Sequence, residues 1–477
     1  MKGKQHTYQS YGNVYKSTAE LFEPSTVEAL SQILKYAQAA GRRVSVAGGF
    51  NSFDGQNAGG DLVISMRKFD SMQYDARHHS ISVGAGATWG AIVAEAYRHR
   101  CVTYTWITGS HPTAGGTLST HSHSMWAPGV GKEGNYCLSF DIMLANGTLL
   151  HCSRTENSDL FYGAIAGFGM LGFIVRIEYQ LFYIGQHFEI EIATRDYKDI
   201  KQLETRLDVR KPQRIESLDQ LQSQSTLFYK DKNGPKFTVY NRRYIPVQKF
   251  KKSSKFKFYQ AVIANGLIRL FPSLVNRIML KDVGKPSIKR WLLQGLNAIH
   301  SGTFWADPDY YWTKYCSPYL KIFGYKTKLY QMTHFIPMGE DKVSGFTQKV
   351  YDLLAEYKLK FCMFDIMYVP QDEPFVLSAS RYTDGFYVNT TFMDYVDRTT
   401  LFSFYKELNE LCLHMQGKIY LAKNLFASSQ LLEAMHEPEI KLFAQLKQKY
   451  DPNYLLRSTF FEQHFPSYFG ALTKQRT

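Results

Sequence analysis

Two glycine-rich loops, well separated in the chain, constrain this sequence more than any other feature. The first, Ala47-Gly48-Gly49-Phe50-Asn51-Ser52-Phe53, follows a strand-like run directly. The second is Gly109-Ser110-His111-Pro112-Thr113-Ala114-Gly115-Gly116-Thr117-Leu118-Ser119-Thr120-His121-Ser122-His123. Successive positions without a side chain let backbone N–H groups converge on an anion such as a pyrophosphate. A tight turn explains either pair of glycines taken singly, but two such loops in matching surroundings point to one shared ligand. A third glycine run, Gly167 to Gly172, satisfies the GxGxxG spacing of dinucleotide sites. It lies between a helical pattern (Asp159–Ala166) and a strand pattern (Phe173–Tyr179). That order is the reverse of the strand-then-helix arrangement the pyrophosphate needs, which argues against a Rossmann NAD site.

Around these loops the chain reads as alternating helix and strand. Ser25 and Glu28 form a capping box for a helix to about Ala40, with Val27, Leu30, Leu34 and Ala37 on one stripe, and Gly41 stops it. Strands are expected at Arg43–Val46, Asp61–Ser65, Ser80–Val83 and Ser139–Leu144, and a helix from Trp89. Asn146-Gly147 turns the last strand into a hairpin with Thr148–Cys152. Further on, Phe386–Phe392 is strand-like, and Pro438 suits the first turn of a helix carrying Ile440, Phe443, Leu446 and Tyr450, ended by Asp451-Pro452. A chain of 477 residues exceeds one compact core. We expect three units: 12–184 as the glycine-loop domain, 185–415 as a substrate domain, and 416–466 as a segment returning to the first.

Charge is unevenly placed. Between Pro235 and His300 fourteen Lys or Arg face one acid, Asp282, so the strip 235–300 carries nearly all of the net charge of +14. Phe250, Phe256, Phe258, Tyr259, Ile263, Leu267 and Phe271 are interleaved with those cations, which suits contact with an anionic membrane surface. A solvated basic face is the plain alternative, and nucleic acid ranks last because no nucleic-acid module accompanies the strip. The most apolar segment, Ala261–Val275, is broken by Asn265, Arg269 and Pro272 and falls short of the ~20 residues a spanning helix needs. Six cysteines stand singly with no CxxC spacing, and the first ten residues lack an apolar stretch. A cytoplasmic location is expected, on the inner face of a membrane if the strip binds lipid.

The run Pro24–Tyr179, with AGGFNSFDGQNAGG, GSHPTAGGTLSTHSH, LANGTLLHCS and NSDLFYGAIAGFGMLGFIVR, resembles the FAD domain of the vanillyl-alcohol oxidase and p-cresol methylhydroxylase (PCMH-type) superfamily. With the late segment Gly417–Lys423 it is most similar to the decaprenylphosphoryl-ribose oxidases of that superfamily. The likeness is weak between about 185 and 410, where substrate would be chosen. It implies an α+β fold: a PCMH-type two-subdomain FAD-binding domain plus a cap domain built on an antiparallel sheet with helices. It also implies that Val46, Ala47, Gly48, Gly49, Phe50, Asn51, Ser52 and Phe53, with Gly109, Thr113, Ala114, Gly115 and Gly116, wrap the pyrophosphate. Thr120 to His123 would line the isoalloxazine, Ile174 the adenine side, and Tyr420 and Lys423 would return to the ring. Some members attach FAD through a histidine before the loop serine; here that residue is Asn51, and Trp126–Asn135 has no cysteine, so a non-covalent FAD is expected.

Beside the ring, His123 suits proton abstraction from a substrate hydroxyl, imidazole being poised near neutral pH. Lys423 offers positive charge where negative charge develops. Gln331 and Tyr387 are placed on the substrate side by a gapped match. A metal held by His111, His121 and His123 is disfavoured, since neither Cys nor carboxylate completes a ligand set. The expected activity is FAD-dependent removal of hydride from an alcohol or sugar carbon, with a lipid-linked or otherwise amphipathic substrate favoured by the basic strip. A soluble alditol or sugar-lactone oxidase, a flavin-dependent sterol reductase and a non-catalytic flavin scaffold are the alternatives.

Overall fold

The structure, a computed structural model, describes residues 2–12, 14–105, 107, 111–123, 130–186, 188–197, 199–203, 222–231, 234–246, 302–306, 329–360, 363–393 and 396–470. Among the described residues four sheets follow one another along the chain. The first holds β1 (Lys4–Gln9), β2 (Lys16–Phe22), β3 (Val44–Ala47) and β4 (Leu62–Ser65) in the order β1-β2-β4-β3. β1 and β2 form an antiparallel hairpin, whereas β2 and β3 run parallel to β4. The helix Val27–Ala39 makes the crossover, burying Leu30, Ile33, Leu34 and Ala37. Its N-cap is Thr26, which accepts from Ala29 N, and not the expected Ser25, because the hydroxyl one residue later meets the first orphan N–H.

The second sheet takes β5 (Met72–Asp75), β6 (Ser80–Gly84), β7 (Cys101–Thr103), β8 (Cys137–Met143), β9 (Leu149–Ser153) and β10 (Phe173–Tyr183). Its order is β5-β6-β10-β8-β9, with β7 also on β10. Every neighbouring pair is antiparallel, and the helix Trp89–Arg98 covers the sheet with Trp89, Ile92, Val93 and Ala96. The expected hairpin through Asn146-Gly147 joins β8 to β9, with Gly147 at φ +84°.

A third sheet, in the order β12-β13-β11-β14, is formed by β11 (Phe188–Tyr197), β12 (Gln222–Asp231), β13 (Gly234–Pro246) and β14 (Gly302–Ala306). The start of the basic strip is thus strand β13, where Arg243 pairs with Glu191 of β11. Residues 247–301, which carry the rest of the strip and its proposed lipid contact, lie outside the described residues.

The fourth sheet positions the site. β15 (Leu329–Pro337), β16 (Met363–Val369), β17 (Gly385–Met393) and β18 (Lys418–Ile419) pair antiparallel in the order β16-β17-β15-β18. Tyr330, Met332, Ile336, Phe364, Ile366, Phe386, Val388 and Phe392 point from one face into the main core, against the helices Lys342–Glu356 and Arg398–His414. The third sheet leans on this one: Thr226 Oγ1 bonds Ile366 N and O, both at 2.8 Å, and Phe228 stacks on Phe364 with ring centroids 4.5 Å apart.

The last long helix runs Ser429–Tyr450, capped by Ser428 and ended at Asp451. Pro438 lies inside it, not in its first turn. The stripe Leu432, Met435, Ile440, Phe443 and Leu446 is buried along its whole length, so packing carries the helix through the proline. Beyond it the chain returns to β3: Val44 N donates to Leu455 O (2.9 Å) and Arg457 N to Val44 O (2.8 Å).

Candidate active site

β3 delivers the first glycine loop. Tyr8 Oη and Tyr11 N donate to Ser52 O (3.1 and 2.7 Å), and Gly12 N and Asn424 Nδ2 to Phe53 O (3.1 and 3.0 Å). Arg67 donates to Gly49 O at 2.8 Å and lies 5.3 Å from the Phe50 ring centroid. Phe50 sits at φ 57°, a left-handed conformation that an aromatic residue rarely adopts and that these fastenings hold in place. The second loop meets the first at Gly48, where a Cβ would lie 2.4 Å from Thr113 Oγ1. Thr113 precedes the short helix Ala114–Leu118, whose first residues are bonded to the turn just after β6: Ala114 N to Ala87 O and Gly115 N to Ala85 O, both 2.8 Å.

Between the loops and the polar face of the fourth sheet lies a cavity of about 330 Å³. Gly48, Gly49, Phe50, Asn51, Ser52, Phe53, Thr113, Gly116, Thr120, His123, Gln331, Tyr420 and Lys423 all line it, as do Asp365, Asn389 and Thr391. A smaller cavity of about 70 Å³ shares Gly48, Ser52, Gly116 and Thr120 with it and is walled by Val46, Ala47, Gly115, Phe168, Gly169 and Ile174. The glycine run 167–172, disfavoured above as a nucleotide motif, therefore contributes a wall of its own, Gly169 packing against Val46. Ala114 is buried behind the loop, and Gly109 lies outside the described residues.

The cap wall follows from strand alternation. Gln331 and Thr333 on β15, Asn389 and Thr391 on β17, and Asp365 on β16 share one face, with Gln331 opposite Thr391 and Asn389 between Thr333 and Asp365. Asn389 Nδ2 donates to Asp365 Oδ2 (2.9 Å), while Thr333 Oγ1 bonds Asn389 Oδ1. Burial pushes the Asp365 carboxyl up to about 6, opposed by Asn389 and by Lys423. Asp365 was not anticipated: a lone acid in an apolar strand gives no local signal, and its role emerges only from register. Asn424 stitches this wall to the first glycine loop, its Oδ1 accepting from Gln331 N (2.9 Å) while its Nδ2 holds Phe53 O.

Lys423 Nζ lies 4.2 Å from the Phe53 ring centroid, and burial brings its ammonium down to about 8 against the pull of Asp365. His123 is held well below the ordinary imidazole value, first by burial and then by Lys423, Lys132 and His121, so it is neutral. The Tyr420 hydroxyl donates to Thr120 O at 2.8 Å, with its ring centroid 5.4 Å from that of His123. Tyr387, expected on the substrate side, stands instead behind His123, fully buried with ring centroids 4.6 Å apart. The outward alternation of β17 at Asn389 and Thr391 continues to Tyr387, but His123 and Tyr420 cover it. Among the described residues no group of His, Cys, Asp or Glu is arranged to hold a metal.

The cavity fits a large polar cofactor by its unfinished bonding. Thr113 Oγ1, Asn57 Oδ1, His123 Nδ1, Asp365 Oδ1 and Thr391 Oγ1 are buried on residues of its wall and have no hydrogen-bond partner. Buried polar groups are rarely left so, and five around one space mark where a ligand completes them.

Comparison with known proteins agrees with this geometry. Residues 18–153 match the FAD-binding domain family, and residues 271–464 match the D-arabinono-1,4-lactone oxidase family. The chain is 26% identical to L-gulonolactone oxidase of Bos taurus over 175 residues, 36% of this chain and 40% of that protein. To cytokinin dehydrogenase 2 of Arabidopsis thaliana it is 28% identical over 171 residues, 35% of this chain and 34% of that protein. To xylooligosaccharide oxidase of Thermothelomyces thermophilus it is 30% identical over 166 residues, 32% of each. The match thus spans well under half the length of each of these relatives. Both glycine loops, the flanking strands and the cap sheet are thus assembled around one cavity in a chain that joins an FAD-binding domain to a lactone-oxidase-type region, the combination of the vanillyl-alcohol oxidase/PCMH flavoproteins it is similar to.

Proposed function

We propose that the protein is an FAD-dependent oxidoreductase that oxidises a CH–OH carbon of a polyhydroxylated small molecule, a sugar or sugar lactone. The observation that carries this is the cap wall itself: Gln331, Asn389, Thr391 and Asp365 present amide, hydroxyl and carboxylate groups to the same cavity that the two glycine loops enclose. Such a wall offers partners to the hydroxyl groups of a sugar, set beside the apolar side chains of Leu329, Met367 and Ala422. The lipid-linked variant rests on residues 235–300, most of which lie outside the described residues, whereas the match of residues 271–464 to a lactone oxidase family favours an unlinked sugar.

FAD, when bound, supplies the hydride acceptor. The protein's own residues would do the rest. Neutral His123 accepts the hydroxyl proton, the Lys423 ammonium stabilises negative charge growing on the substrate oxygen, and ionised Asp365 accepts a hydrogen bond from a neighbouring hydroxyl. With Asn51 where a histidyl link would form, the cofactor is held by contacts alone. Residues 12–184, 185–415 and 416–466 then divide the labour as cofactor domain, cap and returning segment.

The purified protein should be yellow, and acid precipitation should leave the colour in the supernatant. Anaerobic mixing with aldonolactones, alditols and free sugars should bleach the flavin. A colourless protein that takes up no added FAD would sink this reading, and a flavin left oxidised by every carbinol would mark a scaffold instead.

A further inference from the structure

Behind the cavity lies a charge cluster that this reading does not use. Lys132 and Asp372 have fully buried side chains. Lys132 Nζ is 2.6 Å from Asp372 Oδ2, and it donates to Ser378 Oγ at 2.6 Å and to Tyr387 Oη at 3.3 Å. Asp372 accepts in addition from Ser378 Oγ (2.5 Å), Ser380 Oγ (2.9 Å) and Asn135 Nδ2 (3.1 Å). His121 Nδ1 accepts from Gly134 N (3.2 Å), which leaves the ring proton on Nε2, 3.1 Å from Asp372. The desolvation of two buried ions cancels much of their attraction, and apolar replacements are often as stable, so stability does not account for this pair.

We propose that Lys132 is a positioning residue for the active site: with Asp372 as counter-ion it clamps the Tyr387 phenol from behind and fixes the aromatic face against which His123 stands. The Lys132 ammonium is 5.6 Å from the Tyr387 ring centroid, and His123 lies against the same ring. His123 is therefore faced by Lys132 through Tyr387, by Lys423, by His121 of its own loop, and by the Tyr387 and Tyr420 phenols. Two ammonium groups bear on it with the Asp372 carboxylate set behind one of them. That field keeps the imidazole uncharged and ready to take a proton. The proposal rests on the reading of His123 as the base.

The test removes both charges while keeping shape, in Lys132→Gln/Asp372→Asn, with Lys132→Arg as the conservative partner. The His123 ring is followed by NMR titration of the full holoprotein, its signal identified by loss in His123→Gln, alongside the pH profile of anaerobic flavin reduction. In the double variant the His123 titration should move to higher pH, and the reduction rate at the acid end should fall on the order of tenfold, with the maximal rate and the alkaline decline set by Lys423 kept; Lys132→Arg should restore both. A titration and an acid limb that coincide with wild type, with only the melting temperature changed, would overturn the proposal. Should the double variant fail to fold, Tyr387→Phe leaves the ion pair in place. It should lower kcat about tenfold at constant KM, and an unchanged kcat would overturn the clamp. Because the NMR titration needs no substrate, it separates failure of the clamp from failure to find a reducible carbinol.

Discussion

Lys423 and Asp365 face one cavity with their ionisations pushed toward each other, to about 8 and about 6. Lys423 is charged below its value and neutral above it, so flavin reduction should decline as pH rises through about 8. Lys423→Arg should abolish that alkaline decline, since guanidinium stays protonated. Lys423→Ala and His123→Ala should each slow reduction by on the order of a hundredfold while retaining FAD. Stopped-flow measurement decides, and unchanged rates would remove either residue from the chemistry. Their place at the cavity was legible in the sequence, since one sits in the second glycine loop and the other in the late segment that shares the resemblance. Asp365 and Lys132 were not, because a single charged residue among apolar or glycine neighbours acquires a partner only through register or through a loop far away in the chain.

The glycine loops act as elements, not as residues. Gly115 lies so close to Ala85 that a Cβ would be 2.7 Å from the Ala85 Cβ and 3.1 Å from its carbonyl oxygen. Gly115→Ala must therefore push the helix Ala114–Leu118 away from β6, costing about 1–3 kcal/mol of stability and weakening FAD binding. Thermal melting and FAD titration check this, and a variant as stable and as yellow as wild type would contradict it. Strand and helix order in residues 24–183 could be read locally, since alternation and caps announce themselves. Pro438 misled because proline favours a first turn, and the burial that carries the helix past it is a property of the packed tail.

At the scale of the whole molecule, distant segments are fastened by polar groups, some buried and some half-buried. Lys447 Nζ joins Asp451 (2.6 Å) to the carbonyls of Met170 and Leu456 (2.8 Å each), and Arg154 holds Glu373 through two bonds of 2.7 and 2.8 Å. Glu133 accepts from Thr117 (3.0 Å) and Tyr179, and burial, outweighing those two bonds, raises its carboxyl to about 8. The folded state thus keeps a proton that the unfolded chain releases above about 4.5. The resulting stability is complete at acid pH and drains away as pH climbs toward about 8. Glu133→Gln should flatten that loss, so the melting temperature of the variant gains on wild type from pH 5 to pH 8; parallel curves would refute it. A last consequence belongs to the hairpin of β1 and β2, from which Tyr8, Tyr11 and Gly12 grip Ser52 and Phe53. Colour retention in a preparation becomes a gauge of an intact leading ribbon: trimming or bulky fusion there would let the pigment wash out while the cap sheet remained whole.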